Sequence, residues 1–154
     1  MGKTCCFSGH RILPDYKKLL PKLQEETERH IQLGVTHFLN GGAIGFDILA
    51  AEVVLSLKQK YNISLEMVLP CLDQDKTWNK KNKIRYNYIL TNADKVTYLA
   101  NQYYDGCMIE RNRYMVDHSD YCIAYLVNQR GGSYYTVNYA LKINKNVVNI
   151  ANLL

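Results

Sequence analysis

Short apolar runs alternate with longer stretches of helical periodicity from one end of this chain to the other, and no other feature restricts the fold as much. The apolar runs are Lys3–Phe7, Thr36–Leu39, Ser64–Leu69, Lys95–Leu99, Tyr121–Leu126 and Asn146–Ile150. Each has the length of a buried strand. Between them the spacing predicts helices over Asp15–Leu33, Phe46–Lys60, Thr77–Leu90, Cys107–His118 and Gly132–Ile143. The first would face inward with Tyr16, Leu20, Leu23, Thr27 and Ile31, and the second with Phe46, Leu49, Ala50, Val53, Val54 and Leu57. The third, more polar, carries Trp78, Ile84, Tyr88 and Ile89. Strands joined by helical crossovers lie parallel and need covering on both faces. The expectation is therefore an α/β fold, a doubly wound and mostly parallel sheet of about six strands in a single domain spanning residues 1–154.

Composition sets outer limits. A chain of 154 residues, 47% apolar, can bury one ordinary core, and 21% charge is not the signature of a disordered segment. The net charge of +5 favours anionic partners such as phosphates or nucleic acid. The start of the chain lacks a basic region followed by a long apolar stretch, and no run reaches the ~20 residues that span a bilayer. A cytoplasmic protein with no membrane partner is expected. Five cysteines without a CxxC pair point to reduced thiols and to no metal site. Cys71 and Cys107 lie nearest the loops, where a reactive thiol is conceivable. High Lys, Asn and Tyr usage suggests an AT-rich genome, that of a bacterium or a phage.

Ligands of open α/β sheets bind outside the carboxyl ends of the strands, so the residues following each strand carry the functional information. The first strand is followed by Ser8-Gly9-His10-Arg11, the second by Asn40-Gly41-Gly42-Ala43-Ile44-Gly45-Phe46-Asp47, and the fifth by Arg130-Gly131-Gly132-Ser133. Phosphate binds where backbone N–H groups converge at a helix start, and glycine lets the backbone approach it. Ser8, Ser133 and Thr136 would add hydroxyls, and Arg111 a guanidinium with Asn112 beside it. Asp47 is either a helix cap or an acceptor for ribose hydroxyls; His10 either contacts phosphate or holds a turn; Trp78 either stacks on a base or anchors its helix. These turns together predict a nucleotide-like ligand, with no cofactor required. Neither a GxGxxG nor a Walker A pattern is present.

The same residues resemble the YpsA-like family of the SLOG superfamily, which includes the DNA-processing protein DprA and the LOG phosphoribohydrolases. The resemblance runs through Ser8-Gly9-His10-Arg11, Gly41–Asp47 with Ala50-Ala51-Glu52, Leu69-Pro70-Cys71 with Asp73-Gln74-Asp75, Gly106-Cys107-Met108, Arg111-Asn112-Arg113 and Gly132-Ser133 with Thr136. It implies a Rossmann-like sheet, a homodimer with paired helix faces, and a nucleotide or nucleotide-derived ligand, for example an ADP-ribose-like signal that is sensed or sequestered. It also implies two alternatives. One is nucleoside-phosphate N-glycoside hydrolysis of the LOG type, whose motif glutamate falls here on Asn138, or on Val137 if shifted by one. Neither is a carboxylate, so Glu52, Glu110 and Arg111 are the catalytic candidates. The other is single-stranded DNA binding of the DprA type, for which Tyr103, Tyr104, Tyr114, Tyr134 and Tyr135 would supply stacking surfaces.

Overall fold

In the computed structural model, which describes residues 2–154, the alternation becomes β1 (Lys3–Gly9), α1 (Tyr16–Gln32), β2 (Val35–Asn40), α2 (Phe46–Leu57), β3 (Ser64–Leu69), α3 (Lys80–Asn92), β4 (Lys95–Tyr98), α4 (Cys107–Asp117), β5 (Tyr121–Tyr125), α5 (Gly132–Lys142) and β6 (Asn146–Asn149), then a 3-10 turn over Ile150–Leu153. Met1 lies outside the described residues. The six strands form one sheet of order β4-β3-β2-β1-β5-β6, and every pairing is parallel. This is the doubly wound architecture expected, parallel throughout. No helix among the described residues is long and apolar enough to cross a membrane.

The order locates the site. From β1 the chain steps outward through β2 and β3 to β4, then returns to place β5 on the other side of β1. The reversal opens a crevice above the β1–β5 pair, where the carboxyl ends diverge. The ladder runs Phe7↔Ile123, Ser8↔Ala124, Gly9↔Tyr125, so Ser8 and Gly9 sit at its upper rim.

Two apolar layers hold the sheet. Cys5 and Phe7 point into the layer containing Leu19, Leu23, Phe46 and Val53 from α1 and α2, with Tyr86 and Ile89 from α3. Cys6, between them, points into the opposite layer with Met115 and Val116 of α4 and Val137 and Ala140 of α5. Phe46, the first residue of α2, stacks on Tyr125 at 6.0 Å and meets Phe7 edge-on at 6.3 Å. That packing fixes the start of α2 beneath the crevice.

Two helices differ from expectation. In α1 the buried residues are Leu19, Leu23, Glu26, Thr27 and His30, while Tyr16 is exposed and Leu20 and Ile31 lie at the margin. The face is rotated because its polar members are satisfied locally. Thr27 Oγ1 donates to the Leu23 carbonyl at 2.7 Å, and His30 Nδ1 bonds the Glu26 carbonyl at 2.7 Å while its ring meets Tyr121 edge-on. In α3 the helix begins at Lys80, not Thr77, because Asn79 Oδ1 caps it by accepting from Asn82 N. Tyr86 and Ile89 are its buried residues, and Ile84 and Tyr88 are exposed. All five cysteines are free and buried. Burial, with Asp73 alongside, pushes the Cys71 thiol up to about 11, so the loop position does not make it reactive.

Candidate functional site

A cavity of about 280 Å³ lies above the crevice. Ser8, Gly9, His10 and Arg11 from the end of β1 line it, with Ala43 and Ile44 from the β2–α2 turn and Asp47 from the first turn of α2. Arg111, Asn112 and Met108 of α4, Gly132 and Ser133 of α5, and Gln74 and Trp78 of the link after β3 complete the wall. The three strand-end turns and the arginine helix predicted from sequence therefore converge on one space.

The glycines divide into two kinds. Gly41 is buried, and a Cβ placed on it would stand 2.6 Å from the Arg111 guanidinium carbon. Gly45, at φ +94°, would set a Cβ 2.2 Å from the Arg11 carbonyl oxygen. Gly42 is buried too, its N–H donating to Asn40 Oδ1 at 2.8 Å. None of the three lines the cavity. They were expected to let the backbone approach a phosphate; instead they let the chain approach itself. Asn40, fully buried, braces the turn from the other side by donating from Nδ2 to the Asp47 carbonyl at 2.8 Å. Gly131 and Gly132, by contrast, have open space where a side chain would stand. Gly131 is the N-cap of α5 and supplies no side-chain cap, so the first N–H groups of that helix face outward without an intrahelical acceptor.

Arg111 is 2% exposed, not a surface arginine. Its Nε donates to Asn112 Oδ1 at 2.7 Å, Nη1 to the Gly41 carbonyl and to Gln74 Oε1 at 3.4 Å, and Nη2 to Met108 Sδ at 3.5 Å. A guanidinium carries five N–H donors, so little of it is left for a ligand. Its principal work is to tie α4 to the β2–α2 turn.

Asp47 is its electrostatic counterpart, 6% exposed. The helix cap is Gly45, so Asp47 does not cap; its Oδ2 accepts from Ala43 N at 3.3 Å. Its Oδ1 is buried without a partner. Burial raises the carboxyl to about 6, against the pull of Arg111 and the Ala43 N–H. Burial likewise holds the Arg111 guanidinium below its ordinary range, with Asp47 opposing. Each group is costly alone and is stabilised by the other. Arginine keeps its proton under any ordinary condition, so it is Asp47 that titrates.

His10 has a fixed role. Its Nε2 accepts from Val127 N at 2.9 Å, which leaves the proton on Nδ1. Burial lowers its pKa, in the same sense as an Nε2 that accepts. It ties the end of β1 to the loop after β5 while lining the cavity. Thr136, expected to contribute a hydroxyl, is buried and donates to the Gly132 carbonyl at 2.8 Å, bracing the first turn of α5.

The two glutamates proposed for catalysis lie elsewhere. Glu52 makes a two-pronged pair with Arg85 of α3, at 3.0 and 2.6 Å, on the far side of α2. Glu110 accepts from the Tyr104 hydroxyl and is exposed. Asp47 is the one carboxylate among the lining residues. None of the tyrosines named for stacking lines the cavity; Tyr134 and Tyr135 instead line a separate groove between α4 and α5, beside Arg113, which covers the Tyr139 ring at 4.7 Å. Sequence reasoning passed over Gln74 and Met108 as cavity residues. Gln74 stands in an aperiodic link, where no pattern reports which way a side chain turns.

Comparison with known proteins agrees with this fold. The family model described as "YspA SLOG family" matches residues 10–153. A UPF0398 protein of Halalkalibacterium halodurans is 36% identical over 140 residues, 89% of this chain and 71% of its own length. The fold is similar to that of DNA processing protein A from Helicobacter pylori, in a structure described as giving its single-stranded DNA binding mode. There the TM-score is 0.69 at 22% identity, covering 94% of this chain and 63% of that one. The same protein from Streptococcus pneumoniae gives a TM-score of 0.68 at 19% identity, covering 95% and 49%. The chain thus spans between about half and seven-tenths of the length of these proteins.

Proposed function

The chain belongs to the YspA SLOG family, and from that premise we propose that its strand-end cavity binds a nucleotide or nucleotide-derived ligand, as a sensing or sequestering module. The observation that carries this reading is the buried, unpartnered Oδ1 of Asp47 at the wall of a cavity that also holds the open start of α5. An ionised carboxylate only accepts hydrogen bonds, so Oδ1 calls for a donor such as a ribose hydroxyl. The N–H groups at Gly132 and Ser133 call for an anion, and Arg11, exposed and without an ion-pair partner among the described residues, lines the same cavity. A sugar phosphate meets both demands at once.

The test is to denature purified protein, identify co-purified small molecules by mass spectrometry, and run a thermal-shift panel of nucleotides. A ligand of the native state raises the melting temperature with its concentration. Failure of every nucleotide to do so would refute this reading. Release of free base during incubation would instead favour an N-glycoside hydrolase, with Asp47 as the only lining carboxylate able to serve it.

Two partner readings follow from likeness. Single-stranded DNA is suggested by the Helicobacter pylori neighbour and by the net charge of +5; a mobility shift at low salt tests it. A homodimer through helix faces would engage the groove of Tyr134, Tyr135, Tyr139 and Ile143, and sedimentation tests that.

A further inference from the structure

Resting on the nucleotide reading of this cavity, we infer that Trp78 is the platform on which the ligand's base stacks, so that the ligand carries a nucleobase and is not a bare sugar phosphate. Trp78 precedes α3, is half-buried, and lines the cavity. Its ring is backed by Tyr86 at 4.8 Å with the planes at 68°. An edge-to-face contact of this kind covers at most one face of the indole. Tyr86 is itself buried, and its hydroxyl receives Gln74 Nε2 at 3.2 Å, so the support is held from two directions. The same Gln74 amide reaches the Gly41 carbonyl at 3.3 Å, which ties the platform to the turn that seats Arg111.

Trp78, Met108 and Ile44 are the large apolar residues of the cavity lining, and Trp78 comes from the link after β3. Ser8 at the end of β1, Asp47 in the first turn of α2 and Ser133 in the first turn of α5 carry its hydrogen-bonding groups. Two strands stand between β3 and β5, so Trp78 and Ser133 reach the cavity from different parts of the sheet edge. A ligand that satisfies both has a flat apolar group and an anion. A nucleoside monophosphate has that form, whereas ribose 5-phosphate leaves the indole wall empty.

Trp78 is the only tryptophan, so intrinsic emission reports on it alone. The experiment titrates adenosine 5′-monophosphate and ribose 5-phosphate into the wild-type chain, following emission and, in parallel, heat. Stacking predicts that the nucleotide quenches emission as it binds and that ribose 5-phosphate, where it binds, does not. Trp78→Ala is expected to weaken the nucleotide at least about tenfold with ribose 5-phosphate unchanged, and Trp78→Phe to retain most of the affinity. Nucleotide heat without quenching, and with Trp78→Ala affinity intact, overturns the stacking role and leaves the site reading in place. No heat from either compound overturns the site reading itself, and the stacking role with it.

Discussion

Gly41 and Arg111 occupy one space: the guanidinium donates to the Gly41 carbonyl and lies where a Cβ on that residue would stand, 2.6 Å away. The contact joins the β2–α2 turn to α4. A methyl group here must displace a buried cation whose other donors are already engaged. Gly41→Ala is expected to destabilise the chain by roughly 2–4 kcal/mol, within the range for overpacking a well-filled site and disturbing a buried polar network. Chemical denaturation checks this, with Gly132→Ala as the control, since a Cβ there meets nothing.

Arg111→Ala removes the counter-charge from a buried carboxylate as well as four hydrogen bonds. A loss of about 2–4 kcal/mol is expected, from the buried Gly41 carbonyl deprived of this donor, the space left behind and the lost attraction on Asp47. Arg111→Lys keeps the charge but not the fork, and should lose less stability while still loosening the turn. Denaturant midpoints of the two variants check the order. Equal stability of Arg111→Ala and wild type would mean that the guanidinium does not hold the turn.

Glu52→Gln should leave nucleotide binding unchanged. Its carboxylate pairs with Arg85 at 2.6 Å and both side chains are about a third exposed, so solvent screens the pair. The expected stability loss is under about 1 kcal/mol. Reduced ligand affinity in this variant, measured by calorimetry, would place Glu52 at the site after all.

These expectations separate what the sequence disclosed from what it concealed. Apolar runs and helical periodicity located the strands and helices, the central strands most directly, because parallel strands buried on both faces read as continuous apolar runs. The strand-end turns pointed to the cavity for a topological reason that needs no side-chain detail. What stayed hidden was direction. Arg111 reads as a guanidinium open to a phosphate, yet it is buried, because the Gly41 carbonyl, Gln74 and Met108 take its donors. Glu52 shares a helix with Asp47, but five residues at about 100° each turn it to another face, where Arg85 pairs with it. Trp78 reads as part of the third helix, yet it stands in the link before Asn79, and its contact with Tyr86 shows where its ring is held. The direction of Arg111 depends on Gly41, 70 residues away, which local pattern does not encode.

Asp47 makes stability depend on pH in a direction that can be worked out. Its carboxyl titrates near 6 in the folded chain against an ordinary value of 3.8. Between those two values the folded state binds more protons than the unfolded one, so stability falls as pH rises through the window and the full penalty is present above it. Asp47→Asn removes the buried charge and keeps the shape. The ligand-free variant should therefore be more stable than wild type at pH 7.5, by roughly 1–3 kcal/mol for a shift of this size, with the difference vanishing by about pH 3. The same substitution replaces an acceptor with an amide at the point where a ligand hydroxyl would donate, so nucleotide affinity should fall while apo stability rises. A structural carboxylate would not divide in this way: removing it would lower stability and leave binding alone. Melting curves at the two pH values, with and without nucleotide, distinguish the cases, and a variant that is less stable at pH 7.5 and binds as wild type would show that Asp47 serves the fold and not the ligand.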